Sequence, residues 1–334
     1  MSRQDCPVRT PRLHRALGAV LGCALAALSG AAAAQSYPNH PIRLFVSFPP
    51  GGAADLVARV TGQALSVRLG QPVVIENRPG ANGNLAGEAV AKADPDGYTL
   101  LIGPSALFAI NPHLYARMPI DPLKDLLPVA SLVSNELVLA ANPALTVGKD
   151  FRAFVEQARA ARPPLAYASI GNGSEHHLAM ELLEQQAGIA LTHVPYRGGG
   201  PAALGVIAGD VAAMFGGGSV APLILSGQLH GLAVSGTRRS PLLPDLPTIA
   251  ETFPGYEVTL WQGLFAPVGT PAAIVERLRA EARVVRVQAD VAERLAAAGA
   301  GEPMVTTDAE FVARIRADNE KFGKVIEGIG ARVQ

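Results

Sequence analysis

Residues 42–69 read IRLFVSFPPGGAADLVARVTGQALSVRL, and this stretch contains the unit from which the rest of the chain is built. Residues 42–48 are apolar and strand-like, and the Pro-Pro-Gly-Gly run at 49–52 ends the strand. From Asp55 the apolar residues recur at helical spacing up to Gly70, a residue type that commonly ends helices. The stretch therefore predicts a strand, a glycine-rich loop and a helix in succession.

The same unit recurs along the chain. Further short apolar strands are predicted at 73–76, 99–102, 165–168, 191–194 and 211–215, and helical patterns follow most of them. Strands that alternate with helices at this spacing indicate parallel βαβ units. The sequence thus predicts an α/β protein whose sheets are rich in parallel strands and are flanked by helices.

The length and the C-terminal pattern together indicate two lobes. A chain of 334 residues favours two domains, at roughly 150 residues each. The C-terminal region is helical and lacks strands for a sheet of its own, so we expect it to pack on the first lobe. The predicted boundaries are 35–135 with 257–334 for lobe 1, and 136–256 for lobe 2. Two extended segments that connect two lobes predict a hinge.

The first 34 residues have the pattern of an export signal. Four arginines precede an apolar run at 16–28, and three alanines at 32–34 fit the small-residue cleavage rule. We predict a signal peptide over residues 1–34, with the mature chain starting at Gln35. Two alternatives stay open: an uncleaved membrane anchor, and a lipoprotein in which Cys23 is lipidated.

Composition and motif content exclude several classes of function. Lysine plus arginine equals aspartate plus glutamate at 28 each, whereas a nucleic-acid-binding chain would normally show a basic excess. His177 and Glu181 have the spacing of zinc ligands, but no third ligand of suitable spacing accompanies them. Motifs for phosphate loops, metalloproteases and redox cysteine pairs are absent from the sequence. We expect neither a metal nor a cofactor, and no nucleic-acid partner.

Small-residue loops are the feature that indicates binding. Such loops follow strands and precede helices at residues 49–52, 78–83, 171–174, 198–200 and 216–219. In parallel α/β sheets these loops lie at the carboxyl ends of the strands, where ligands bind. A helix N-terminus offers free N–H groups and partial positive charge, so it attracts anions. Two lobes with such loops at one cleft would bind a carboxylate without any basic side chain.

An enzymatic alternative can be tested on the sequence. Residues 217–221 resemble a nucleophile elbow around Ser219, in which alanine replaces the last glycine. The last histidine is His230, and no acidic residue lies between it and Ser219, so the hydrolase order of serine, acid and histidine cannot be built. A third class, a ligand-sensing receptor that feeds a signalling system, has the same sequence features as a transport receptor and stays open.

Eight short motifs occur in order along the chain. They are PIRL (41–44), FPPGG (48–52), ENRPGA (76–81), PDGYTLL (95–101), INP (110–112), GNGS (171–174), HVPYRG (193–198) and LPDLPT (243–248). Together, and with this spacing, they resemble the Bug-type receptors of tripartite tricarboxylate transporters. The resemblance extends over nearly the whole chain from Tyr37. It implies a two-lobed periplasmic-binding-protein type II fold with a two-segment hinge. It also implies a periplasmic monomer that binds a small organic carboxylate and works with inner-membrane transporter subunits.

The resemblance also assigns ligand contacts. In this family the loop after the first strand holds a ligand carboxylate, partly through ordered water, and loops of the second lobe complete the site. The residues implied here or facing the same cleft are Phe48, Pro49, Gly51, Gly52, Ala54, Asp55, Ser105, Asn111, Ser169, Asn172, Gly173, Ser174, His177, Tyr196, Gly198 and Gly217.

Two departures from the family pattern concern the ligand. Ala54 stands where a hydroxyl is frequent, and Gly216 and Gly217 stand where the family commonly has aspartate and asparagine. The second change widens the site and removes a negative charge, which leads us to expect a bulkier or more anionic ligand.

Three of the polar candidates have alternative local roles. Asp55 would either contact a ligand amino group or hold its own loop, since aspartate suits a helix N-terminus. Ser174 and His177 would either contact the ligand or satisfy nearby backbone groups.

Overall fold

The structure is a computed structural model that describes residues 37–148 and 150–332. The predicted signal peptide and Cys23 lie outside the described residues. Within the described ranges, no helix is both long enough and apolar enough to cross a lipid bilayer.

Eleven strands form two sheets in the described part of the chain. The strands are β1 (Ile42–Val46), β2 (Val73–Asn77), β3 (Thr99–Pro104), β4 (Leu126–Glu136), β5 (Val138–Ala141), β6 (Ala166–Ser169), β7 (Thr192–Pro195), β8 (Ala213–Gly216), β9 (His230–Val234), β10 (Thr259–Pro267) and β11 (Glu302–Pro303). The first sheet has the order β11-β4-β10-β3-β1-β2, and the second has the order β7-β6-β8-β5-β9.

Helices follow most of the strands, as the sequence predicts. They are α1 (Ala53–Leu69), α2 (Asn84–Ala91), α3 (Ser105–Ala109), α4 (Asn111–Leu114), α5 (Pro122–Asp125), α6 (Phe151–Ala160), α7 (Glu175–Ala187), α8 (Gly199–Ala208), α9 (Ala221–Leu225), α10 (Ala272–Val285), α11 (Ala289–Ala297) and α12 (Asp308–Ile329). Helix α1 ends where predicted, at Gly70 with φ of 70°. Helix α12 begins with a complete capping box between Thr307 and Glu310.

Each sheet contains both parallel and antiparallel strand pairs, whereas the sequence predicts sheets rich in parallel strands. Strand β1 is parallel to β2 and β3, but β10 is antiparallel to both β3 and β4. In the second sheet β6 is parallel to β7 and β8, but β5 is antiparallel to β8 and β9. The reason is the path of the chain. It leaves the first sheet at the carboxyl end of β4, so β5 and the returning β10 must enter from that edge and run the opposite way.

Ser235 joins the two segments that cross between the sheets. Its hydroxyl accepts a hydrogen bond from the Leu137 N–H at 2.8 Å and donates one to the Val258 carbonyl at 2.5 Å. Its backbone N–H and carbonyl pair with the same two residues, at 2.8 and 2.9 Å. Ser235 is fully buried. The two crossing segments are therefore bonded to each other through one residue.

The C-terminal helix packs against elements of both sheets. One buried apolar cluster combines Ile110 and Leu114 near α4, Leu178 of α7, and Phe322 and Ile326 of α12. Helix α12 thus packs on the core beside the crossing segments, and the C-terminal region, which forms no separate sheet, is part of this shared core.

A buried polar contact fixes α12 on β10. Asp318 is 2% exposed, and its carboxylate accepts hydrogen bonds from Trp261 Nε1 (2.9 Å) and Arg314 Nε (2.7 Å). Lys321 Nζ lies 2.8 Å from its other oxygen. The carboxylate is compensated on both oxygens. Its removal would leave the buried Trp261 N–H without an acceptor, whereas Arg314 and Lys321 also bond to Glu257 or Thr259.

We expect Asp318→Ala to lower the free energy of unfolding by about 1–3 kcal/mol, because it leaves the buried indole N–H of Trp261 without an acceptor. Urea unfolding followed by circular dichroism measures the change. The matched control is Glu320→Ala on the exposed side of the same helix, which should stay within about 0.5 kcal/mol of the wild type. Equal stabilities for the two variants would contradict the role given to Asp318.

Candidate functional site

Asp55 holds the loop between β1 and α1. Its Oδ2 accepts hydrogen bonds from the Gly51 N–H (3.0 Å) and Arg59 Nε (2.8 Å), and its Oδ1 accepts one from Asn77 Nδ2 (2.9 Å). The Asn77 amide also donates to the Phe48 carbonyl at 3.0 Å. The Arg59 guanidinium, with the Gly51 and Asn77 donors, lowers the pKa of Asp55 to about 2. Two roles were considered for Asp55, and these hydrogen bonds correspond to the one in which its carboxylate holds its own loop.

The first turn of α1 has no side-chain cap. Gly52 is the N-cap residue, and it has no side chain that could accept a hydrogen bond from the turn. Ala53, the first helical residue, is exposed and also lacks a polar group. The first N–H groups of a helix have no intrahelical acceptor, and the helix dipole places partial positive charge there. This turn therefore offers N–H donors to an anion.

A cavity of about 800 Å³ lies between this turn and the second sheet. Its walls come from the loop before α1, the crossing segment at 135–137, the loop after β8 at 217–219, and parts of α7, α9 and α11. Four of the predicted site residues line it: Gly51, Gly52, Asp55 and Gly217. The loops at the carboxyl ends of β1 and β8 thus meet at one cavity.

The polar residues at the start of α7 hold their own loop. Ser174 caps the helix by accepting a hydrogen bond from the His177 N–H at 3.2 Å, and it donates to the Gly171 carbonyl at 2.8 Å. Nδ1 of His177 accepts a hydrogen bond from the Gly173 N–H at 3.1 Å. Both side chains therefore satisfy nearby backbone groups, and neither lines the cavity.

Ser169 belongs to a polar cluster behind that loop. Its Oγ lies 2.6 Å from His193 Nε2 and accepts a hydrogen bond from the Gly171 N–H at 3.0 Å. The His193 ring stacks on His177 with 3.9 Å between centroids, and His177 Nε2 lies 3.2 Å from Glu181. Among the described residues no three or more histidine, cysteine or acidic side chains come together as metal ligands would.

Ser105 and Asn111 link secondary-structure elements. The Ser105 hydroxyl donates to Glu175 Oε1 at 2.8 Å, which connects the starts of α3 and α7. The Asn111 amide donates to Asn84 Oδ1 (2.6 Å) and to the Asn82 carbonyl (3.0 Å). Both residues are buried, and neither lines the cavity.

The remaining candidates also lie outside the cavity lining. Pro49 and Asn172 are exposed, Phe48, Tyr196 and Gly198 are half-buried, and Ala54 and Gly173 are buried. Ligand contact by these residues stays a prediction.

His176 lines the cavity and is not among the site residues predicted from the sequence. It lies in the first turn of α7, lines the cavity and is 8% exposed. Within the described residues its Nδ1 has no hydrogen-bond partner. The sequence contains the adjacent pair His176 and His177, and the resemblance implies ligand contact for His177. Adjacent residues on a helix point in directions about 100° apart, so only one of the two can face the cavity.

The charges at the cavity are few. Among its lining residues Arg59 is the cation, and its guanidinium is paired with Asp55 at 2.8 Å. Glu136 at the end of β4 is the other charged group, and burial raises its pKa. Burial also lowers the pKa of His176 to about 4, so its ring is neutral at pH 7.

The buried neutral state of His176 makes stability depend on pH. Its pKa is about 4 in the folded protein against 6.5 for an ordinary histidine, so between these values the unfolded chain binds a proton that the folded chain does not. The free energy of unfolding should therefore fall as the pH drops through this window, by about 1.4 kcal/mol per unit from this residue. Urea unfolding of the wild type and His176→Phe at pH 7, 5.5 and 4.5 should give a flatter dependence for the variant.

The control for this pH series is His230→Phe, at a half-exposed site outside the cavity. It should retain the wild-type dependence on pH. Parallel curves for the wild type and His176→Phe would contradict the buried, neutral assignment.

Known proteins similar to this chain agree on its family. The family described as "Tripartite tricarboxylate transporter family receptor" matches residues 57–331. Protein BugT of Bordetella pertussis is 36% identical, and the match covers 95% of this chain and 98% of BugT. A structure described as "R. palustris Rpa4515 with adipate" is 32% identical with a TM-score of 0.75, over 89% of this chain and 100% of that one. MatC from Rhodopseudomonas palustris with bound malate is 31% identical with a TM-score of 0.70, over 87% of this chain and 100% of MatC. The chain therefore belongs to the tripartite tricarboxylate transporter receptor family.

Proposed function

We propose that this protein is a periplasmic solute receptor that captures a small organic carboxylate between its two sheets and delivers it to a tripartite transporter in the inner membrane. The observation that carries the proposal is the uncapped first turn of α1, which opens onto a cavity of about 800 Å³. Relatives whose structures contain adipate and malate support the carboxylate class.

The recognition we propose is mainly electrostatic. The N–H groups at Ala53 and Ala54 would receive a carboxylate, and the dipole of the 17-residue helix α1 favours a negative charge there. The half-exposed guanidinium of Arg59, one turn further along, adds positive potential at the same wall. Since Asp55 already neutralises part of Arg59, the backbone donors would supply most of the contact.

Capture would proceed by hinge closure. We assign residues 35–135 and 257–334 to one lobe and 136–256 to the other, with the crossing segments at Leu137 and Val258 as the hinge. The loops after β1 and β8 lie on opposite walls of the cavity, so a ligand that contacts both favours the closed arrangement. Closure is stabilised only by the difference in affinity between closed and open states. We expect a monomer that releases its ligand chemically unchanged.

The anion contact can be tested with Ala53→Asp, which places a carboxylate at the helix N-terminus. We expect the affinity for the best of adipate, malate, succinate and benzoate to fall by at least about tenfold, because like charges at this distance repel. Calorimetry measures the affinity, scattering measures compaction and mass, and mass spectrometry checks that the ligand is unchanged.

The matched control is Ala272→Asp, the same change at the exposed first residue of α10. It should leave the affinity unchanged, and both variants should keep or slightly gain stability, since aspartate suits a helix start. Equal loss in both variants would argue against a site at α1. Wild-type protein that binds no carboxylate, or that converts one, would refute the receptor function.

Export to the periplasm is tested separately. We expect the full-length gene product, expressed in a Gram-negative host and released by osmotic shock, to begin at Gln35. Intact-mass measurement decides between this end, retention of residues 1–34 as an anchor, and a lipid-modified chain that begins at Cys23.

A further inference from the structure

The part of the cavity wall formed by α7 contains a polar atom without a partner. His176 is 8% exposed, it lines the cavity, and its Nδ1 has no hydrogen-bond partner among the described residues. The other two histidines of this region are bonded within the protein: His177 to the Gly173 N–H, and His193 to Ser169 Oγ. A buried ring with unused hydrogen-bonding capacity at a cavity wall is suited to a ligand.

The charge state of this wall limits what the ligand can carry there. Burial lowers the pKa of His176 to about 4, so at pH 7 the ring has one donor nitrogen and one acceptor nitrogen and no charge. The other ionisable groups of the lining are Asp55, Arg59 and Glu136, and the Arg59 guanidinium is already paired with Asp55 at 2.8 Å. A second ligand carboxylate placed against His176 would meet a neutral imidazole, and the cation of the lining is already compensated.

The rest of the lining is largely apolar. Leucines from five parts of the chain contribute to it, together with a proline of α9. They are Leu56, Leu137, Leu225, Leu242, Leu260 and Pro222. Leu225 and Leu242 are more than half exposed, at 74% and 53%, which leaves apolar surface available for burial by a ligand. A short, fully polar diacid would leave this surface unused.

We propose that the preferred ligand is an amphiphilic monocarboxylate with an uncharged hydrogen-bonding group at its far end, and that His176 receives this group. The carboxylate lies at α1, the apolar body lies against the leucines, and a hydroxyl, carbonyl or amide bonds to the imidazole. This assignment rests on the proposed receptor function and specifies the ligand class. It supports the bulkier of the two ligand types expected from Gly216 and Gly217, and not the more anionic one.

The experiment compares matched acids by calorimetry at pH 7. The first series is benzoate, 3- and 4-hydroxybenzoate and terephthalate, and the second is hexanoate, 6-hydroxyhexanoate and adipate. In at least one series the hydroxylated monocarboxylate should bind the wild type about five- to tenfold more tightly than both the unsubstituted acid and the diacid, the effect of one added hydrogen bond.

His176→Phe keeps a flat ring of similar size and removes the hydrogen bond. It should bind the unsubstituted acid within about threefold of the wild type, while the preference for the hydroxylated acid disappears. His176→Leu serves as a second variant if the first does not fold, and thermal melting decides this. His230→Phe should retain the wild-type preference.

The possible failures are distinguishable. Tighter binding of the diacids, or no preference for the hydroxylated acid, would overturn the proposed ligand class. Either result would still agree with the proposed function as a carboxylate receptor. A hydroxyl preference that persists in both His176 variants would overturn the role of His176. If no member of either series binds the wild type, the receptor function itself is refuted.

Discussion

The hydrogen bonds around Ser235 set the relation between the two sheets. Both crossing segments bond to this one buried residue, so the strands that leave and re-enter the first sheet are held side by side. The crossing segments leave and enter the sheets at the carboxyl ends of the parallel strands. These ends of the two sheets therefore face the same space between the sheets. The glycine-rich loops that follow β1 and β8 consequently meet at one cavity, although they are more than 160 residues apart in the sequence. Without the paired crossings, each loop would be an ordinary turn on a separate surface.

Local chemistry made most of the fold predictable. The alternation of apolar strands with helices identified α1 and α7 and the strands before them within a few residues, because each depends on its own periodicity and its own capping residues. The mixed character of the sheets was not predictable in the same way. The direction of β5 and β10 depends on where the chain enters each sheet, and that is a property of the whole path, not of the residues in the strand.

The residues that line the cavity were harder to predict than the fold, for a physical reason. Serine, histidine and asparagine in a loop have the same sequence signature whether they face a ligand or bond to the loop itself. Ser174, His177 and Asn111 are occupied by backbone groups, while the adjacent His176 faces the cavity. Only the rotation of α7 relative to the cavity separates the two histidines, and this rotation is set by packing against distant elements such as α12.

The start of α1 differs from that of three other helices. Helices α6, α7 and α12 begin with an aspartate, serine or threonine whose side chain accepts a hydrogen bond from the first turn. Helix α1 begins with glycine and alanine, so no side chain at its N-cap accepts a hydrogen bond from its first N–H groups. In the binding mode proposed above, a carboxylate at this turn would act as the N-cap that the chain does not encode. The hydrogen bonds of the first turn would then be complete only in the liganded protein, so the order of this turn would report whether the site is occupied.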